Sequence, residues 1–460
     1  MKRSCAGVLA VGRRGAGVTA AVFTLFVAVG RAQGPPAASK RVLDDAWLRG
    51  VVARIQPVVE RECGRTFRTP PQIGTADVVD VAKALQADLA PSVEVFLQGQ
   101  PRARIDRAIR LRAELFAGAI LGKYGFASKE VYVVPQVARS QLARVQRSDA
   151  DVETLLQLVI AHELVHALQD QELDLMARQR GGADNDRLEA LAMLIEGHAV
   201  FCSERVAHTL GLQDAIEPLR SVMVGNHDPA HVPVASLVTR RVRGSGIVTY
   251  LNMAEFFARE HARGGHDGLW QLLAATTPTT RALILEQPAT ACADASAAFA
   301  GLDATFAGGS WTIGRSILTE RLLLSENLPR AADLRALLPK LRATGEWFAI
   351  SPSPSSWRSV YALRFDDAEA ASAFVALAVE VTKGDAGQAG IDIVSDAELA
   401  WDGVPVTRFV QTPTGPIGDR GILAFFRRGA DVVQVAIANA PLPDDELVAS
   451  VRSVFERLVD

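Results

Sequence analysis

The chain has 460 residues, of which 49% are apolar and 22% are charged, and its formal net charge is −3. This composition excludes a disordered chain, and the length favours two or three folded domains. An acidic balance without a basic stripe interleaved with aromatic residues excludes nucleic acid as a partner.

Residues 1–32 have the order of a secretory signal peptide. Basic residues precede an apolar run over residues 16–29, and Gly30 and Ala32 are small residues suited to cleavage after Ala32. We therefore expect a protein that is secreted or located in the periplasm or cell envelope. Cleavage would remove five basic and no acidic residues and change the net charge from −3 to −8. The alternative is an uncleaved membrane anchor, for which the run is short compared with a bilayer span of about 20 residues.

Residues 33–40 read as a flexible linker, and helical periodicity dominates residues 41–341. A β-type run at residues 131–134 interrupts the helices and is closed by Pro135. This run would be either an edge strand that pairs with an extended peptide or a strand buried in the fold. The predicted helical stretches are 77–89, 102–121, 151–178, 184–210 and 246–274.

Residues 347–460 have a different pattern, typical of a small α+β domain. Two hairpins are expected, the first across the dipeptide Asp402-Gly403, which is a strong turn sequence. The predicted order is β-α-β-β-β-β-α, with strands or helices at 359–365, 368–382, 398–401, 404–411, 421–428, 431–439 and 444–459. The whole chain is therefore predicted to be α+β, with a mainly helical domain followed by this small domain. The small domain contains no motif that indicates its role.

Cysteine usage leaves several arrangements open. After cleavage the chain would keep Cys63, Cys202 and Cys292, which allow one disulfide in three pairings or three buried free thiols. No CxxC sequence occurs, so a zinc site built from cysteines is not expected.

The most informative segment is residues 160–169 (IAHELVHALQ). His162 and His166 lie four residues apart on one face of a predicted helix, a spacing that suits two imidazoles on one tetrahedral zinc ion. Glu163 is adjacent to the first histidine and is placed to act as a general base. The sequence therefore predicts two zinc ligands and a base. The alternative is a pair of core histidines whose hydrogen bonds are satisfied within the fold.

A third ligand is expected from the helix at 184–210, which Asp184 or Asn185 would cap. Glu196 lies in the apolar stripe of that helix, where a carboxylate is costly to bury unless it is paired or bound to a metal. The neighbouring Gly197 would permit a close approach of two helices. We predict Glu196 as the ligand, with a salt bridge to an arginine as the alternative. His198 points about 200° away and ranks below it.

Two more acidic residues are candidates for supporting roles. Glu189 shares the face of Glu196 two turns earlier, which makes it at most a partner of the ligands. Asp170 follows His166 by one turn and could accept a hydrogen bond from a ligand histidine. A solvated surface aspartate is the alternative for Asp170.

These segments carry a resemblance to a known family. HELVHALQDQ (162–171), followed by EALAMLIEGHA (189–199), resembles gluzincin-type metallopeptidases. More narrowly, it resembles exported, uncharacterised bacterial proteins with an HELxHALQDQ…ALxEGxA pattern. The likeness covers roughly residues 125–290, including 278–288 (PTTRALILEQP). It implies a zincin-like fold, Zn²⁺ on His162, His166 and Glu196, and Glu163 as the base.

The chain departs from this family pattern at two places. His198 stands where the family often has aspartate, and Arg241 or Arg243 stands where a tyrosine is expected. Neither departure changes a ligand, but both concern the surroundings of the metal and the group that stabilises the transition state.

The expected activity is zinc-dependent hydrolysis of a peptide or protein substrate, with a further donor to the oxyanion. Tyr250, His227 and His231 are candidates for that donor, and the sequence does not rank them. One alternative is a zincin-fold protein that binds a partner without catalysis, with a structural or absent metal. Another is a purely helical structural or envelope-associated module. The presence of Glu163 and the position of Glu196 favour hydrolysis.

Overall fold

The computed structural model describes residues 43–144, 147–148, 151–182, 184–223, 244–302, 312–350, 357–389, 393–401, 404–411, 421–438 and 444–458. The expected signal peptide and linker lie outside these residues. The described chain belongs to the mixed α+β class, as the sequence predicts: most of it is helical, and a large sheet lies toward the C-terminus. No helix of the described part combines the length and apolar character needed to cross a bilayer.

Each predicted helical stretch contains a helix, but 151–178 is divided into two helices at Asp174, and further helices occur outside these stretches. Numbered in chain order, those described are α1 (Asp45–Cys63), α2 (Val78–Phe96), α3 (Arg102–Ala117), α4 (Pro135–Arg144), α5 (Asp151–Leu173), α6 (Leu175–Arg180), α7 (Asn185–Leu210), α8 (Ile216–Met223), α9 (Met253–Ala274), α10 (Thr280–Leu285), α11 (Glu320–Glu326), α12 (Ala331–Leu337), α13 (Ala368–Ala389) and α14 (Asp444–Leu458). Between α8 and α9, the segment Ile247–Asn252 is a π-helix.

The helices α5 and α7 carry the predicted site residues, and the ends of α7 are set by capping residues. The side chain of Asp184 accepts a hydrogen bond from the backbone N of Arg187 at 2.8 Å, so it caps α7, and Gly211 ends that helix with φ of 70°. In α5 every residue from Leu155 to Asp170 is buried. The helix is therefore enclosed on all sides by α1, α4, α7 and the strands beside it, rather than exposing a polar face.

A three-stranded sheet lies beside α5. Its strands are β1 (Gln72–Thr75), β2 (Gly122–Tyr124) and β3 (Glu130–Val133), in the order β1-β3-β2. Because β3 pairs with β1 on one side and with β2 on the other, its backbone groups are used within the sheet. The expectation that residues 131–134 form an edge strand for an extended peptide is therefore wrong, and the buried-strand alternative is the observed one.

The larger sheet is antiparallel apart from one short pair. Its strands are β4 (Ala293–Asp294), β5 (Thr312–Ser316), β6 (Leu341–Ile350), β7 (Trp357–Phe365), β8 (Ile393–Trp401), β9 (Val404–Gln411), β10 (Gly421–Arg428) and β11 (Asp431–Ala438). The order is β4-β6-β7-β11-β10-β9-β8, and β5 pairs with β6. From Trp357 onward the elements follow the predicted β-α-β-β-β-β-α order. The sheet is nevertheless larger than predicted, because three earlier strands extend it.

Alternate residues of the larger sheet contribute to two cores. On one face, Leu363 and Phe425 join the core that contains α13 and continues into the helical part of the chain. On the other face, Ala362 and Phe426 pack in a separate core with α14. The period of two is that of a strand with both faces covered. The sheet therefore lies between helices, with one face continuous with the core around α5 and α7.

Candidate metal centre

The predicted site residues His162, Glu163 and His166 lie on α5, and Glu196 lies on α7. Gly197, next to Glu196, allows α7 to pack closely against α9. A Cβ atom at Gly197 would be 2.3 Å from the Cβ atom of Met253 and 3.0 Å from its backbone carbon. Those distances are shorter than carbon atoms tolerate, so only glycine permits this approach. The prediction that Gly197 lies at a close contact between helices is confirmed. Its neighbour Glu196 is thereby held in a tightly packed part of α7.

The structure brings His162, His166 and Glu196 together in the interior. The Nε2 atoms of the two histidines are 3.1 Å apart, and each lies 3.3 Å from Oε2 of Glu196. All three side chains are buried. Within the described part of the chain, no other group of three histidine, cysteine or acidic side chains converges in this way.

The spacing of these atoms fits a tetrahedral zinc ion. With zinc-to-ligand distances of about 2.0–2.1 Å, the donors of a tetrahedral site lie about 3.3–3.4 Å from one another. The three observed separations, 3.1, 3.3 and 3.3 Å, are close to that value. Two imidazoles and one carboxylate also form a common donor set for zinc in hydrolytic enzymes. Both the spacing and the chemistry of the three donors therefore suit Zn²⁺.

Electrostatics favour a cation at this point. Burial alone would raise the pKa of Glu196, but the adjacent His166 and His162 outweigh it and lower the pKa to about 2. Burial likewise opposes the charged form of His166, while Glu196 and Glu163 raise the pKa of that imidazole overall. A buried carboxylate that stays ionised needs a positive partner, either a protonated histidine or a bound cation.

Gln169 fixes the orientation and tautomer of His166. Its Oε1 atom lies 2.8 Å from Nδ1 of His166, while its Nε2 donates to the backbone O of Ile195 at 2.9 Å. The same Nε2 lies 3.0 Å from Nδ1 of His198. Because the amide nitrogen already donates to two acceptors, its oxygen must accept from Nδ1–H of His166. The lone pair of His166 is then on Nε2, the atom that faces Glu196.

Gln169 takes the role that the sequence predicts for Asp170. Asp170 is buried, and it accepts hydrogen bonds from Tyr124 Oη at 2.8 Å, Lys129 Nζ at 2.6 Å and Leu175 N at 3.0 Å. Its carboxylate therefore ties α5 to the turn between β2 and β3. Both sequence interpretations of Asp170, as a partner of histidine and as a solvated aspartate, are wrong.

His162 and His198 have surroundings that differ from those of His166. Nδ1 of His162 is buried and has no hydrogen-bond partner among the described residues, so no contact at that nitrogen fixes its tautomer. A cation on Nε2 would set it, because the lone pair would have to be on that atom. His198 lies outside the group of three: its Nδ1 faces Gln169 and its Nε2 is 3.4 Å from Sγ of Cys202.

Glu163 is held by the edge strand β2. Its Oε2 atom accepts a hydrogen bond from the backbone N of Tyr124 at 2.6 Å. Gly122 permits this contact, because a Cβ atom there would lie 2.5 Å from Cγ1 of Val159 and 3.4 Å from Cγ of Glu163. Since Tyr124 also donates its hydroxyl to Asp170, one strand residue fixes the two buried acidic side chains of α5.

Tyr250 is the described member of the three candidates for an oxyanion donor. It lies on the π-helix Ile247–Asn252, a helix type that is frequent at functional sites, and its side chain is buried. Burial raises the pKa of its hydroxyl well above the usual value, and Glu196 and Glu163 raise it further. Both carboxylates are therefore close enough to act on Tyr250. His227, His231, Arg241 and Arg243 lie outside the described residues.

Glu189 forms an ion pair beside the site and does not contact the three converging side chains. Its Oε2 accepts from Nε of Arg321 at 3.0 Å and also bonds to the hydroxyl of Thr319. Arg321 is itself buried and is close enough to Tyr250 to oppose the rise in the pKa of that phenol. The ion pair with an arginine, considered above for Glu196, is thus made by Glu189.

Comparison with known proteins gives no family for this chain. No protein-family model and no curated protein matches it. Among solved structures, the extracellular domain of PknH from Mycobacterium tuberculosis matches with a TM-score of 0.25 and 14% identity, over 35% of this chain and 91% of that one. A likeness at this level carries no argument about fold or function, so a function has to be inferred from the site itself.

Proposed function

We propose that this chain is an exported, zinc-dependent metallohydrolase of the peptidase type, with Zn²⁺ held by His162, His166 and Glu196. The observation that carries the proposal is the convergence of two imidazole nitrogens and one carboxylate oxygen at tetrahedral spacing in a buried site. A zincin-like fold for the helical part and the export of the chain belong to the same proposal. They are supported by the sequence resemblance and by the composition of residues 1–32.

Zinc in this position would polarise the scissile carbonyl group and lower the pKa of a nearby water molecule. Glu163 then removes a proton from the attacking water and later delivers it to the leaving amine. The hydrogen bond from the backbone N of Tyr124 holds one oxygen of Glu163 in place, so the carboxylate does not have to reorganise during the reaction.

Tyr250 is the residue we assign to the developing oxyanion. Burial, together with the neighbouring Glu196 and Glu163, raises the pKa of its hydroxyl well above the usual value, so the hydroxyl is protonated at neutral pH. A protonated phenol is a hydrogen-bond donor, and a donor beside a metal site stabilises negative charge as it forms on a carbonyl oxygen. Arg321 is already bonded to Glu189, so it supports this corner of the site rather than taking part directly.

The proposal is tested by degradation of a proteome-derived peptide mixture with the zinc-reconstituted protein, read by mass spectrometry. New peptide ends are expected with the natural protein and with the control Glu172→Gln, which alters a surface carboxylate of the same helix that pairs with Arg68. The variant Glu163→Gln is expected to keep zinc and to lose cleavage by a factor of about 10²–10⁴. Absence of cleavage by the zinc-loaded natural protein, or undiminished cleavage by Glu163→Gln, would overturn the proposal.

A further inference from the structure

Of the three described cysteines, Cys63 and Cys202 are close to each other and Cys292 lies elsewhere in the core. Cys63 is the last residue of α1, and Cys202 lies in α7; the two helices pack against each other, and both side chains are fully buried. Both are free thiols in the structure, and they lie close enough for each to change the pKa of the other. Cys292 contacts Arg281 and Glu320 instead, in another part of the core. One pair out of the three possible pairings is therefore in contact.

We infer that Cys63 and Cys202 form a disulfide bond in the mature protein, while Cys292 stays a free thiol. The sulfur of Cys202 lies 3.9 Å from the backbone O of Glu62, the residue before Cys63, which places it against the end of α1. Forming the bond needs the two sulfurs to approach to about 2.05 Å. It would join α1 to the helix that carries Glu196.

The surroundings favour a disulfide over a metal site. Nε2 of His198 is 3.4 Å from the sulfur of Cys202, but no third donor converges with them among the described residues. Burial raises the pKa of both thiols. For Cys202, the neighbouring Cys63 and the imidazole of His198 outweigh burial and lower its pKa well below the usual value.

The oxidant would be a disulfide compound, such as oxidised glutathione or a thiol–disulfide oxidoreductase. The thiolate of Cys202 attacks one sulfur of the oxidant, which forms a mixed disulfide and releases one thiolate. The thiol of Cys63 loses its proton, and its sulfur displaces the second thiolate from Cys202. Two cysteine thiols are oxidised and one disulfide of the oxidant is reduced to two thiols. Because both cysteines are buried, this exchange belongs to the period of folding.

The test unfolds the chain without residues 1–32, refolds it in a mixture of reduced and oxidised glutathione, and isolates the folded fraction. Free thiols are alkylated in acid with a denaturant, so that buried thiols also react, and the digest is mapped without reduction. We expect loss of alkylation at Cys63 and Cys202, a linked peptide that contains both, and alkylated Cys292. Cys292→Ser should keep the link. Cys202→Ser, or Cys63→Ser where the first variant does not fold, should leave the remaining partner alkylated.

Alkylation of all three cysteines in the folded natural protein, or a link through Cys292, would overturn the assignment. The map does not depend on zinc or on cleavage, so its outcome is separate from that of the proposed hydrolase function.

Discussion

Replacement of Gln169 by leucine tests how the metal centre is oriented. The natural side chain makes three contacts: it accepts from Nδ1–H of His166, donates to the backbone O of Ile195 and faces Nδ1 of His198. Leucine fills a similar volume and makes none of them. At about 1 kcal/mol of net stabilisation for each hydrogen bond, the free energy of unfolding should fall by about 3 kcal/mol. Loss of a partner of a ligand histidine should also weaken zinc binding by about 10–100-fold.

The assay is a competition titration of zinc between the apoprotein and a chelator, together with chemical unfolding of the apoprotein. Gln157→Leu is the matched control: it changes a buried glutamine three turns earlier on α5 whose partner is Arg54, away from the three ligands. We expect the control to lose some stability and to bind zinc normally. A Gln169→Leu variant that loses stability but binds zinc as tightly as the natural protein would show that the glutamine does not orient His166.

Three further outcomes follow from named contacts. Gly197→Ala should destabilise the fold by about 1–3 kcal/mol in thermal unfolding, since its Cβ atom would overlap Met253; an unchanged melting temperature would contradict the packing described. Tyr250→Phe should lower kcat by about 10²–10³-fold with zinc content unchanged, and equal kcat values would remove the tyrosine from the reaction. Burial and the neighbouring Glu320 raise the pKa of Asp186 from 3.8 to about 7, so this carboxyl stabilises the fold below pH 3.8 relative to high pH. That contribution, about 4 kcal/mol, is lost as the pH rises to 7, and Asp186→Asn should flatten this part of the stability profile.

Local patterns in the sequence were sufficient for most helices and for the order of the C-terminal elements. Apolar periodicity located α5 and α7, and the spacing of His162 and His166 fixed their shared face because a helix has a defined pitch. Glu196 was found by a different argument, the cost of a carboxylate in an apolar stripe. The three side chains that converge in the structure are the three that these arguments selected as zinc ligands.

Pairing between distant segments could not be read from the sequence. The run at 131–134 has the composition of a strand, but nothing local shows that β1 and β2 occupy both of its edges. The same is true of β5 and β6, which join the C-terminal sheet although 341 was expected to close the helical domain. Strand partners depend on contacts far apart in the chain, whereas composition reports only the preference for an extended conformation.

The hydrogen-bond partners of the proposed zinc ligands could not be read from the sequence either. Gln169 and Asp170 are neighbours that follow His166 by three and four residues, and both spacings place side chains near the histidine. The charge of Asp170 made it the better candidate on chemical grounds. The choice was decided by Tyr124 and Lys129, which draw Asp170 toward β2, and by Ile195, which holds the amide of Gln169. None of these contacts is local in the sequence.

The most direct test of the central claim is the zinc content of the purified protein, measured by elemental analysis for the natural chain, His162→Ala, Glu196→Ala and Glu204→Ala. Glu204 lies on the same helix as Glu196 and pairs with Arg220, so its variant is the control. We predict about one zinc per chain in the natural protein and in Glu204→Ala, and loss of zinc in the two ligand variants. A natural protein that takes up no zinc even after reconstitution, or ligand variants that keep it, would contradict the account.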